Sequence, residues 1–210
     1  MFSLFKRRGD RRTVNGYIAL LTGESAVTVE EVFRRCAAVE ALTRLGPAAR
    51  AAMPALLRTL AAPVYVDCGI VLRVTVAEAL WKVGRRDDLA LPFLAWALKD
   101  DFWGASRTAV RVLGEMGAVA HDAVPDLVRL ADQRRTRGPF DFEKFEQRGD
   151  TPSGRQSLLA LVTTTLGRCG RGVAYGQEAR WMLTLLVESE DDEVHAAAER
   201  ALADLGPSGI

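Results

Sequence analysis

The sequence predicts an all-α chain: a right-handed α-solenoid, or α–α superhelix, of about five antiparallel helix pairs, the last of them incomplete. Three observations predict it. A ten-residue segment ending in glycine recurs five times along the 210 residues. The apolar residues of each copy fall on one helical face. In three copies a proline follows the glycine at a fixed distance, where a second helix would open.

The copies are residues 37–46, 75–84, 108–117, 161–170 and 197–206. Counted back from the closing glycine, the fourth residue is Leu in all five: Leu42, Leu80, Leu113, Leu166 and Leu202. The eighth is Ala or Val, and the first is always apolar (Leu45, Val83, Met116, Cys169, Leu205). The second is polar: Arg44, Lys82, Glu115, Arg168 and Asp204. Offsets of eight, four and one share a face of an α-helix, and an offset of two points away from it. A glycine closing such a run is expected to take the left-handed conformation that ends helices.

Each element follows in order. Residues 13–22 read as a short helix covering the N-terminal end, behind a basic segment with Lys6, Arg7, Arg8, Arg11 and Arg12. Residues 1–27 are thus a basic tail and capping helix, and 28–210 the repeat array. Thr28, followed by Glu31, reads as a capping box opening the first full repeat. Pro54, Pro92 and Pro125 each lie eight residues after their glycine, ahead of Leu56-Leu57, Leu94-Ala95 and Leu127-Val128. A second helix is expected near each proline, whose missing N–H is harmless in a first turn. The fourth copy has Glu178 at that place, and its second helix, about 177–188, is expected to be apolar at Trp181, Met182, Leu185 and Leu186. The last first helix is expected from about Asp191, where acids suit the positive end of a helix. Only Pro-Ser-Gly-Ile follows Gly206, so the final copy is expected to lack its second helix.

The glycine-to-glycine steps are 38, 33, 53 and 36 residues, and the step of 53 holds an insertion at about 132–153. A Leu-Gly helix end with a proline eight residues on resembles the HEAT repeat family of armadillo-like solenoids, in the short PBS-lyase-type form common in bacteria. The resemblance covers about residues 28–206. It implies a stack in which each unit buries its apolar stripe against its neighbours. Ala37, Ala38, Ala41, Ala79, Ala109 and Ala201 read as core positions that let helices approach closely.

Composition bounds the function. The chain is 49% hydrophobic and 26% charged, as globular chains are. Lys and Arg number 28 against 27 Asp and Glu, which does not suit a globally basic nucleic-acid binder. Cys36, Cys68 and Cys169 are too few and too scattered for a disulfide framework or a paired metal site, and they point to a cytoplasmic protein. No apolar run approaches the roughly 18–20 residues that span a bilayer. His121 and His195 have no ligand partner at helical spacing, and no catalytic or phosphate-binding motif is present. No enzyme, cofactor or metal is expected.

Two places could contact a partner. The insertion carries Arg134, Arg135 and Arg137, then Phe140, Phe142 and Phe145 among acids. Two readings stand: a satellite cluster folded onto the neighbouring helices, or a contact loop with aromatic anchors. The other place is the position twelve after the glycine, Arg58, Trp96 and Arg129 in the first three copies. In HEAT-like solenoids the second helices line the concave face, so this column could grip an acidic or phosphorylated protein, unless Trp96 fills the groove between repeats. The resemblance therefore implies a non-enzymatic protein-binding scaffold, monomeric or weakly self-associating. It admits two others: a relative of the alkylpurine DNA glycosylases, for which Arg58, Arg129, Trp96 and Asp126 offer fragments of a groove, and a chromophore lyase subunit.

Overall fold

The computed structural model describes residues 9–22, 28–62, 69–99, 103–137, 157–171 and 175–206. Every regular element among them is helical. The helices are α1 (Gly9–Leu21), α2 (Val29–Leu45), α3 (Met53–Ala61), α4 (Gly69–Gly84), α5 (Asp87–Ala97), α6 (Trp103–Met116), α7 (Val124–Arg137), α8 (Leu158–Cys169), α9 (Gly176–Leu186) and α10 (Asp192–Leu205). The chain divides into two compact units, Met1–Thr108 and Ala109–Ile210. In both, consecutive helices pair and each first helix packs on the next first helix, the order of an α-solenoid.

In the first unit α2 packs on α4, while α1 lies against α2 and α3. The periodicity explains the core. Leu42 and Leu80 are sealed, as are Ala38 and Val76 four residues before them. Val14 and Leu21 of α1 join this core with Tyr17 and Ile18 at its edge. Thr28 caps α2 by accepting a hydrogen bond from the Glu31 N–H at 3.2 Å. The Glu31 carboxylate accepts from Arg35, one turn on, at 2.6 Å.

In the second unit α6 packs on α8 and α8 on α10, with α7 and α9 as their second helices. Leu113 and Leu166 are sealed, but Leu202 in the last copy is only half-buried. Asp191 caps α10, accepting from the N–H groups of Glu193 at 2.9 Å and Val194 at 3.3 Å. Its other end is held by two arginines. Arg171 bonds the Asp204 carbonyl and carboxylate, and Arg180 donates to the Gly206 carbonyl.

The turn after the glycine is the same in one copy of each unit. Gly46 and Gly117 have φ of +54° and +60°, and each opens a short 3-10 segment, Gly46–Ala52 or Gly117–Ala123. Ala49 and Ala52 are buried in one segment, Ala120 and Ala123 in the other. A side chain at either glycine would meet a carbonyl of the next first helix, Lys82 or Arg168, at 4.0 Å.

The other closing glycines divide. Gly206 has a positive φ of +73°. Gly84 and Gly170 do not, contrary to expectation; at Gly170 the need for glycine is steric, while at Gly84 a side chain would meet the flexible end of Met53, which can move aside. A Cβ on Gly84 would lie 2.5 Å from the Met53 Cε, and one on Gly170 would lie 2.8 Å from the Ala179 Cβ. After Gly84 the left-handed residue is Arg85, with φ of +54°. The helix that follows therefore starts differently. Arg86 forms a fork with Asp88 at 2.8 and 2.7 Å, which holds the Asp88 carboxyl below its ordinary range. With acids in its first turn, α5 begins at Asp87, and Pro92 sits inside the helix rather than at its opening. Pro54 and Pro125 do lie in the first turns of α3 and α7.

Candidate functional site

The second helices bury one stripe and expose another. In α3 the stripe Leu56, Thr59 and Leu60 is buried, and it leaves Arg58 in solvent with Leu57 37% exposed. Met53–Ala61 contains no acid, and Arg58 forms no ion pair among the described residues. In α5 the stripe is Leu94, Ala97 and Leu98, and Trp96 is 45% exposed. Trp96 is thus partly open to water and partly covered.

Arg129 belongs to the second unit. On α7, Leu127, Leu130 and Ala131 are buried, and the Arg129 side chain is 39% exposed. Its Nε lies 3.7 Å from the Asp126 carboxylate, too far for a hydrogen bond, and its Nη2 is buried with no hydrogen-bond partner. The helix runs on to Arg137, so Arg134 and Arg135 are helical residues. Arg135 pairs with Asp132 at 2.9 Å, and Arg134 is half-buried. Arg137 is the last residue of α7, with its side chain outside the described atoms; Phe140, Phe142 and Phe145 lie outside the described residues.

The aromatic residue that sequence reasoning misplaced is Trp181. Expected on the packed face of the fourth second helix, it is 57% exposed. Ala179, Met182, Leu183 and Leu186 are the buried residues of α9.

One position, polar in four of the five copies, also escaped the repeat alignment. Eleven residues before the closing glycine stand Arg35, Arg73, Ser106, Leu159 and His195. Ser106 donates to the Ala97 carbonyl at 3.2 Å, and the His195 ring donates to the Val187 carbonyl. Both carbonyls end the preceding second helix, where four groups lack intrahelical partners. His195 is therefore a latch between helices, with Glu199 3.5 Å from its other nitrogen. Only the contrast of these polar residues with the apolar heart of the helix could have signalled it.

Reactive groups are few. His121 contacts the Ala118 carbonyl at 3.1 Å and Asp122 at 3.3 Å. Among the described residues no cluster of three or more His, Cys, Asp or Glu could hold a metal ion, and no helix is long and apolar enough to cross a membrane. Cys36 and Cys169 are buried, and burial pushes the Cys169 thiol up to about 12. A scan against protein-family models finds no match, and neither does a search of curated proteins.

Proposed function

We propose that this protein is a non-enzymatic scaffold of short HEAT-like repeats that binds an acidic protein partner on its second helices. The observation that carries the reading is the pair Arg58 and Trp96. They hold the same place in successive repeats of one unit, both face solvent, and no acid on α3 neutralises the arginine. An exposed tryptophan and an unpaired guanidinium on successive second helices offer apolar area and bidentate carboxylate recognition. The buried Cys169 thiol, bonded to the Leu113 carbonyl, suits a reducing compartment. The nearly even charge of the chain, +1 at pH 7, favours a protein partner over a nucleic-acid backbone.

A photocrosslinking residue at Leu57, which is itself part-exposed, tests this. It is expected to form a covalent adduct with a protein. The adduct should fade in Arg58→Glu and in Trp96→Ala while the thermal midpoint stays within a degree or two, as surface substitutions allow. Equal adduct in both variants and the parent would sink the proposal.

A further inference from the structure

In the second unit each first helix lays one stripe against the first helix that follows it. Three residues before their closing glycines, Gly114 and Gly167 lie too close to Thr165 and Ala201 for a Cβ. Seven residues before, Val110 and Thr163 are sealed. In α10 the same two places are Ala203 and Glu199, and both are exposed. Leu202 beside them is half-buried, where its four counterparts are deeper. The face that α6 and α8 cover is therefore open in α10. Ala203 and Glu199 share it with Ala196 and Arg200, in a stripe spaced i, i+3, i+4 and i+7. Read backwards, the stripe exchanges Ala for Ala and Arg for Glu. It is complementary to itself.

From this pattern we infer that the open face of α10 pairs with the same face of a second copy, antiparallel, about a two-fold axis between Glu199 and Arg200. Each Glu199 then meets the partner's Arg200, and each Ala196 meets the partner's Ala203. The alanines let the two helices approach closely, as Gly167 and Ala201 do within the chain. Both charges are available. The Arg200 Nε donates to the Ala196 carbonyl at 2.9 Å, and its two terminal nitrogens have no partner among the described residues. The Glu199 side chain is 62% exposed, with the His195 ring 3.5 Å from one of its oxygens. A parallel pair would instead set Glu199 near Glu199 and crowd together two sets of Asp191, Asp192 and Glu193. Head-to-tail stacking would need α2 to offer the residue five before its glycine, as α8 and α10 offer Thr165 and Ala201. That residue is Ala41, already buried in a helix that α1 packs against. A two-fold contact closes on itself, so it makes dimers and no filament. One helix pair is a small interface, at the weak end of association. Arg58 and Trp96 belong to the first unit, so partner binding and self-association stand or fall separately.

Analytical ultracentrifugation of the full chain over a concentration series tests the pairing. The average mass should rise from that of one chain toward that of two. Arg200→Glu makes the stripe wholly acidic and Glu199→Arg makes it wholly basic. Each variant should self-associate about tenfold more weakly, because like charges replace two attractive pairs. An equimolar mixture of the two variants should recover association, since each pair of acids then meets a pair of arginines. Thermal midpoints close to the parent's would show that both variants fold. A parent that stays a single chain throughout, variants that associate as the parent does, or a mixture that recovers nothing would overturn the pairing.

Discussion

The two units spell their first helices with the same Leu and Gly signature and yet join them by different means. Where α2 meets α4, large side chains do the packing: Val39, Leu42, Leu72, Val76 and Leu80 are all buried, and the residue three before each closing glycine is Thr43 or Trp81. Threonines there bond within their own helix, Thr43 to the Val39 carbonyl at 2.9 Å and Thr75 to the Val71 carbonyl at 2.8 Å. In the second unit the residue three before the glycine is itself glycine in the first two copies, Gly114 and Gly167, and Ala203 in the last. A Cβ on Gly114 would lie 2.8 Å from Thr165 Oγ1, and one on Gly167 would lie 2.6 Å from the Ala201 Cβ. With backbones this near, polar groups cross between helices. Thr165 donates to the Val110 carbonyl at 3.2 Å, and the Cys169 thiol to the Leu113 carbonyl at 3.4 Å. The lesson is that a solenoid signature specifies which faces meet, while one position beside it sets how closely.

The contrast can be broken most sharply in the first unit. Leu80→Ala should cost about 3 kcal/mol, as sealed leucines do, whereas Leu202→Ala, at a half-buried copy of the same position, should cost about 1 kcal/mol. Denaturant melts would measure both; equal losses would mean that the last copy packs as tightly as the second. Next, Gly167→Ala should destabilise by about 2 kcal/mol despite the better helix propensity of alanine. Gly16→Ala is the control: nothing lies within 4 Å of its Cβ, so it should gain roughly 0.5–1 kcal/mol. A gain at both would refute the close approach of α8 and α10.

The smallest effect concerns pH. Burial raises the Cys169 thiol to about 12, so the folded state holds its proton more tightly than the unfolded chain does. The stabilisation is complete below the ordinary thiol range and is lost as pH climbs from about 9 toward 12. Over the first unit of that window the loss is on the order of 1 kcal/mol. Melts of Cys169→Ala should be flatter with pH than those of the parent chain; parallel curves would show that this thiol does not titrate on unfolding.

Much of the fold was legible because helix faces are periodic. Leu42, Leu80, Leu113 and Leu166 are sealed as their spacing requires, and Thr28 and Asp191 cap the helices they precede. What escaped reading depended on neighbours distant in sequence. Gly167 is glycine because Ala201 of α10 lies against it, which no local rule reveals. Pro92 was displaced into its helix because Arg85 accepts a left-handed turn and the Arg86–Asp88 fork starts α5 early. The exposed Arg58 and Trp96 could be listed from their offset, but Trp181 could not, because its offset counts from a glycine to which α9 is not anchored.

Helix α9 buries the triplet Ala179, Met182 and Leu183 at the spacing of Leu56, Thr59 and Leu60, but one residue sooner after its closing glycine. On an α-helix one residue is a rotation of about 100°, enough to turn a surface side chain into the core. Had α9 kept its count from Gly170, Trp181 would stand in place of Leu57 and Ala95, and the buried set would change. Instead the helix is indexed by what it buries. A change of one residue between glycine and helix then leaves the exposed face of the helix with its orientation. Repeats in this chain are best compared by their buried triplets, with the turns left free in length.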